Sequence, residues 1–413
     1  MYIACMSTAQ KIFSGRLLTF VSILFVMLGI GVPLRAQTNA TNFFPIMAWN
    51  TPPSQPAVYQ KMAECGLNVA GFVPVAALDM CQSAGLKAIV SDPRCGGYDW
   101  AHVDERVARS NITSLINQVG KHPAVYGYYL RDEPPPAMLP GLARVAALLR
   151  EASPGKWPYI NLYPNYADNN QLEGLTYPQY VQLFVTDCRP TFISYDHYAL
   201  MDDGTLRNGF WLNLEQVSAS SRATTIPFCS IVLSVGHFNY RDPSAADLRF
   251  EVYSALSYGA RALAYFTYFA PPTGNYRGAP IDQFGNPTPA WYNMQNVNLQ
   301  VQKLAPTLLQ LTCNDTYHFK TVPEGSHGPR PTSLVTGCDG GDFACGEFTH
   351  HDRSRYVLLT NKDVVKSAVC QPHYIRPPSR VQKVSPYSGA LEDFGGENVW
   401  VQPGQGVLLK VSY

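Results

Sequence analysis

Asp132 and Glu133 are adjacent acids at the tip of an apolar, aromatic run, "HPAVYGYYLRDEPPP" (122–136), and three prolines come after them. Proline has no N–H to give to a strand ladder, so the run stops there and the carboxylates stay at its end. Two carboxyl groups side by side in a ring-lined, apolar place do not both ionise readily. Their pKa values are driven apart, one charged and one protonated near neutrality. That division suits general acid–base work and is the state that cleavage of a glycosidic bond uses. The competing role is structural: Asp132 caps the next helix or pairs with Arg131.

The run is one of eight. "NFFPIMAW" (42–49), "GLNVAGFV" (66–73), "LKAIVSD" (86–92), "AVYGYYLRDE" (124–133), "PYINLYP" (158–164), "TFISYDHYAL" (191–200), "PFCSIVLSVG" (227–236) and "RALAYFTYF" (261–269) read as strands. Each is succeeded by a stretch with helical spacing. Strands joined through helices pair in parallel by right-handed crossovers. Eight such units over about 270 residues match a (β/α)8 TIM barrel over 42–312, closed between strands near Ile46 and Ala264. An open doubly wound sheet would need a G-x-G-x-x-G turn after an early strand, and none occurs.

In such a barrel the chemistry sits where the strands end. Those ends carry Trp49 and Asn50, Asp92, Arg131 with the acid pair, Asn161 and Tyr163, Tyr195 to Tyr198, His237 and Tyr268. Asp196 is a further candidate catalytic carboxylate, with a backbone-bonding turn as its alternative role. Tyr195, His197 and Tyr198 suit a ligand wall. Trp49 is either a stacking platform for a sugar ring or core packing, and His237 is either a ligand contact or a satisfied structural histidine.

With these residues in view, "YLRDEP" resembles the strand-four motif of retaining (β/α)8 glycoside hydrolases of the clan A type. "FISYDHYAL", "SALSYGARALAYFTYF" and the terminal "PGQGVLLKV" are similar to secreted glycosidases of that superfamily. The resemblance spans most of 42–413 and implies an acid/base role for Glu133, with Asp132 in the place of the family's Asn. It also implies a nucleophilic Glu at the end of strand seven, and here "IPFCSIVLSVGHFNY" offers no carboxylate before Asp242. Three outcomes remain open. Asp196 serves as the second carboxylate, or Asp132 and Glu133 act as a substrate-assisted pair on an N-acetylated sugar, or the barrel binds carbohydrate without cleaving it. A polysaccharide lyase is a weaker fourth, for which no Tyr/His/Arg constellation stands out.

Beyond 313 the chain alternates apolar with polar residues between Gly, Pro, Asn and Asp, which predicts a small antiparallel β-sandwich domain over 313–413. Lys11 and Arg16, a long apolar run and "LRAQ" predict a signal peptide over 1–36 and a secreted or periplasmic protein, with no stable membrane insertion after cleavage. Ten cysteines occur, Cys5 among them in the signal. In an oxidising compartment the nearby Cys338 and Cys345 are the expected disulfide. Cys/His ligand spacing is lacking, so no metal or other cofactor is called for. Asn39, Asn111 and Asn314 fit the glycosylation triplet. A formal net charge of +1 offers nothing to nucleic acid. The partner expected is a carbohydrate.

Overall fold

Eight short parallel strands close into a barrel in chain order: β1 (Ile46–Ala48), β2 (Val69–Val73), β3 (Lys87–Val90), β4 (Val125–Asp132), β5 (Trp157–Leu162), β6 (Ile193–Asp196), β7 (Phe228–Leu233) and β8 (Ala262–Phe266). The chain is described by a computed structural model covering residues 43–413. The signal-peptide reading of 1–36 and the Asn39 triplet lie outside the described residues. β1 pairs with β8, Met47 opposite Ala264, so the barrel closes where the sequence places its seam.

Helices α1 (Pro56–Glu64), α2 (Leu78–Ser83), α3 (Pro93–Gly96), α4 (Glu105–Val119), α5 (Leu139–Ala152), α6 (Tyr177–Cys188), α7 (Phe210–Thr224), α8 (Ala245–Ser257) and α9 (Pro289–Leu308) surround it. Several helices start where the sequence supplies a cap. Asp104 accepts from Arg106 N and Val107 N at the head of α4, a contact of about 1 kcal/mol. Thr176 with Gln179 and Ser244 with Asp247 form capping boxes on α6 and α8. In α4 the buried Ala108, Ile112, Leu115 and Val119 recur at helical spacing and face the barrel.

Strand residues alternate between two cores. Ile160, Leu162, Ile193 and Tyr195 pack outward against the helices. Met47, Ile89, Trp157, Tyr159, Phe192 and Ile231 fill the lumen, with Trp49, Tyr129, Tyr198 and Phe266 against them. The lumen is thus a packed, aromatic plug beneath the mouth.

The remainder is antiparallel: β9 (Leu311–His318), β10 (Val335–Asp339), β11 (Phe343–His350), β12 (Arg355–Asn361), β13 (Ala368–Val369), β14 (Gln371–Tyr374), β15 (Arg380–Val384), β16 (Leu391–Asp393), β17 (Trp400–Val401) and β18 (Gly406–Ser412). Six strands form one sheet in the order β16-β15-β18-β12-β11-β9, and β10-β14 and β13-β17 form two small ribbons. One face of the sheet joins the barrel core through Phe348, Leu358 and Leu408. The other, with Val357, Leu359 and Leu409, packs on Val335, Ala368 and Val401 of the ribbons. Gly346 lets β11 touch α8, since a Cβ there would meet the Ser257 carbonyl oxygen at 2.1 Å. Ser257 Oγ and Thr360 Oγ1 are hydrogen-bonded at 2.8 Å beside it.

The disulfide expected between Cys338 and Cys345 does not form, and both thiols are free. β10 pairs with β14 rather than β11, which brings Cys338 Sγ to 3.8 Å from Cys370 Sγ. Strand pairing, not sequence proximity, decides which thiols meet.

Candidate active site

Two local departures from regular strand geometry aim the acid pair. Along β4, Tyr129 is opposite Tyr159, but Arg131 is opposite Ile160 and Asp132 opposite Asn161, so one residue is extra near Leu130. A bulge of this kind bends the strand and re-aims the residues beyond it. Here it puts Asp132 on the lumen side with Asn161. Glu133 then takes φ 43°, a left-handed conformation that costs a residue with a Cβ on the order of 1 kcal/mol or more. Neighbours on a regular strand point to opposite faces. The left-handed turn is what lets both carboxylates serve one mouth. Glu133 N remains tied to Asn161 O at 2.9 Å, and the prolines come next.

Asn161 is the hub. Its Nδ2 donates to Asp132 Oδ1 at 3.1 Å and to Asp196 Oδ1 at 2.8 Å, while its Oδ1 accepts from Ser194 Oγ at 3.0 Å. Ser194 is in turn 2.9 Å from the Tyr159 hydroxyl. Because Ser194 and Asp196 face the lumen, Tyr195 faces the helices and packs on Phe228. His197, past the strand end, is buried; its Nδ1 meets Asn213 Oδ1 of α7 at 3.1 Å.

Three carboxylates therefore converge with few donors. Burial raises Glu133 from 4.5 to about 7, and the charge of Asp132 adds to it. Burial also lifts Asp196 well above the usual carboxylate range, reinforced by Glu133 and Asp132. Asp132 is raised by burial too, but the Asn161 amide and the Arg131 cation oppose the rise. Asp132 is the acid best equipped to hold the negative charge, whereas Glu133 and Asp196 are both pushed toward the protonated form, Glu133 close to neutral pH.

Around them, Trp49 stands edge-on to Phe72 and Phe266 with ring centroids 5.0 and 5.7 Å away, and Tyr198 stacks on Phe266 at 5.3 Å. His237 meets Tyr198 at 5.7 Å and lies flat on Tyr276 at 5.1 Å. Burial lowers the pKa of both His197, to about 4, and His237, so each imidazole is neutral at pH 7. Burial raises the pKa of the half-buried Tyr163, and Glu133 adds to the rise. Arg131 is exposed at the rim. Asn50 Nδ2 donates to Phe269 O at 3.2 Å.

Other strand-end residues have local tasks. Asp92 caps α3 and holds Arg94 through both oxygens at 2.8 Å, which lowers its pKa. Tyr268 accepts from Trp291 Nε1 of α9 at 2.8 Å, on the helical side. Beyond β7, Ser234 Oγ donates to Thr267 O, and the exposed Asp242 pairs with Arg277 Nε at 2.9 Å. β7 thus brings no acid into the mouth.

Sequence reasoning did not single out Tyr166, Arg207 or Tyr240. The Arg207 guanidinium lies 4.4 Å over the Tyr166 ring and 5.3 Å from that of Tyr240, and burial, with Asp196 nearby, raises the pKa of the Tyr166 hydroxyl. All three sit on loops, where no periodicity marks them. Among the described residues no helix is long and apolar enough to cross a membrane, and no group of three or more His, Cys, Asp or Glu could hold a metal ion.

No protein-family model matches the sequence, and comparison with curated proteins finds no relative. Solved structures do match. A glycoside hydrolase family 5 protein from Bacteroides vulgatus aligns over 90% of this chain and 89% of its own, with 14% identity and TM-score 0.56. A catalytic mutant of a GH42 β-galactosidase from G. stearothermophilus aligns over 90% and 98%, with 9% identity and TM-score 0.58. The fold is shared with glycoside hydrolases. A β-galactosidase from the psychrophilic Marinomonas ef1 is matched over 65% of this chain, which spans 62% of that protein's length, at 14% identity and TM-score 0.48.

Proposed function

We propose that the chain is an exported glycoside hydrolase whose acid is Glu133 and whose counter-charge is the Asp132–Asn161–Asp196 unit. The observation that carries this reading is the single Asn161 amide nitrogen touching both aspartates beside a glutamate raised to about 7. The likeness of fold to glycosidases supports it. Residues 1–36 are the export signal in this reading, and the product of cleavage works in a secreted or periplasmic setting.

Glu133 gives its proton to the glycosidic oxygen as the bond to the anomeric carbon breaks. The positive charge that develops on the sugar is met by the negative charge that Asp132 holds beside Asn161 and Asp196, in a mouth whose aromatic floor strengthens the attraction. Water then adds its oxygen to the anomeric carbon and returns a proton to the carboxylates. Asn161 keeps the two aspartates oriented, and Trp49 and Tyr198 offer ring faces to the sugar. A panel of aryl glycosides and polysaccharides tests the reading: hydrolysis of the polysaccharides that falls about 10²- to 10⁴-fold in Glu133→Gln supports it, and the absence of hydrolysis across the panel contradicts it.

One observation favours a second reading, a carbohydrate-binding protein on a barrel that no longer cleaves. β7 ends on Leu233, with Ser234 after it, and supplies no acid. In that case Glu133→Gln and the parent bind the same sugars and neither releases product.

A further inference from the structure

We infer that the C-terminal domain carries a second carbohydrate-binding cleft, on the surface built by Trp400 and Tyr387, that holds a neutral polysaccharide away from the barrel mouth. The inference rests on the carbohydrate reading above.

Most large aromatic side chains of this protein are buried, yet Trp400 is 62% exposed and Tyr387 69%. Both line one cleft of about 180 Å³, formed where the β15 end, β17 and the start of β18 meet α9 at Leu304. Such a volume is smaller than the ~300–1,000 Å³ that envelops a whole small ligand. It suits one ring of a longer chain, laid on the wall.

The chemistry of the lining narrows the ligand. Flat ring faces pack against apolar C–H surfaces. Among them stand three amides: Asn398 Nδ2 already donates to Asp393 O and Gln405 Nε2 to Gln300 Oε1 and Gly406 O, and the exposed Gln402 side chain adds an amide that can both donate and accept. The cation of the cleft, Lys383, is already occupied: Nζ is 3.1 Å from Asn398 Oδ1 and 3.4 Å from Glu392 Oε2. Glu397 adds a carboxylate. Among the lining residues no free positive charge is left for a phosphate, a sulfate or a uronic acid. Ring faces with neutral amides describe a site for a molecule that is apolar on its faces and hydroxylated on its edges, a neutral sugar.

The position is also informative. β15 and β18 belong to the large sheet and β17 to a ribbon beyond it, so the cleft is braced by strand pairing. The catalytic candidates sit at the ends of β4, β5 and β6, in a different part of the molecule. A polysaccharide held at the cleft stays near the enzyme between cuts, whereas a short substrate gains nothing from it.

The test is affinity electrophoresis of Glu133→Gln, which leaves the polysaccharides intact, through gels containing neutral and anionic polysaccharides. The same protein with Trp400→Ala is compared, together with Trp400→Phe and Tyr387→Ala, each checked for an unchanged melting temperature. Retardation by a neutral polysaccharide that weakens about tenfold in Trp400→Ala and largely returns in Trp400→Phe is the expected result. With Glu133 intact, Trp400→Ala should hydrolyse a short aryl glycoside at the parent rate. Equal retardation of parent and Trp400→Ala overturns the cleft while leaving the hydrolase reading in place. Retardation only by anionic polysaccharides overturns it too, as does no retardation by any polysaccharide. Loss of aryl glycoside hydrolysis in every protein, with retardation still dependent on Trp400, overturns the hydrolase reading and keeps the cleft.

Discussion

Asp132 and Asp196 meet at one nitrogen. Nδ2 of Asn161 lies 3.1 Å from the first carboxylate and 2.8 Å from the second, and the two acids come from different strands, β4 and β6, with the donor on β5 between them. A single amide thus serves two buried carboxyl groups from different strands.

Asn161 is consequently a positioning residue, and Asn161→Ala tests it. Removing the amide removes a donor that opposes the rise in pKa at both aspartates. The acid limb of the pH–rate profile should move to higher pH, and kcat should fall at least about tenfold through lost orientation. A purely structural role would lower the melting temperature and leave the pH profile where it was.

The raised pKa of Glu133 is also a statement about stability. The folded protein binds this proton up to about pH 7, whereas an ordinary glutamate gives it up near 4.5. Between those values the folded state holds more protons than the unfolded one, so stability falls as pH rises through the window. Glu133→Gln cannot charge. Its melting temperature should equal that of the parent near pH 4 and exceed it at pH 8. Thermal melts across this range check the sign, and a variant that is less stable at pH 8 opposes it.

Which aspartate supports the reacting sugar is separable by substrate. If Asp132 orients an acetamido group, Asp132→Asn should be damaging on N-acetylated substrates alone. If Asp196 is the second carboxylate, Asp196→Asn should lower kcat on every sugar that the enzyme cleaves. Steady-state kinetics on matched glucosides and N-acetylglucosaminides distinguish the two patterns.

The barrel was legible in the sequence because eight apolar runs separated by helical spacing leave few other ways to bury them. The prolines after Glu133 marked the one strand that ends on adjacent acids. What the sequence did not carry was parity. Tyr195 and Asp196 are neighbours, and which faces the lumen depends on the β5–β6 register, Asn161 opposite Ser194. The bulge at Leu130 and the left-handed Glu133 leave no mark in residue types, although together they bring both acids to one mouth. The thiol partner of Cys338 was hidden for the same reason, since it depends on β10 pairing with β14.

The docking of the β-domain rests on a close backbone approach, and Gly346→Ala measures it. The added methyl group would press on the Ser257 carbonyl of α8. A destabilisation of about 1–3 kcal/mol is expected from overpacking at such a contact. Denaturant unfolding gives the number, and an unchanged midpoint would mean that the two layers part without cost.

The central claim is that Glu133 delivers the proton that breaks the bond. Single-turnover kinetics of Glu133→Gln on two substrates, one whose leaving group needs that proton and one whose leaving group departs as a stable anion, test it most directly. The account predicts a loss of about 10²- to 10⁴-fold on the first and a much smaller loss on the second, with substrate binding retained. Full activity of Glu133→Gln on the poor leaving group would contradict it.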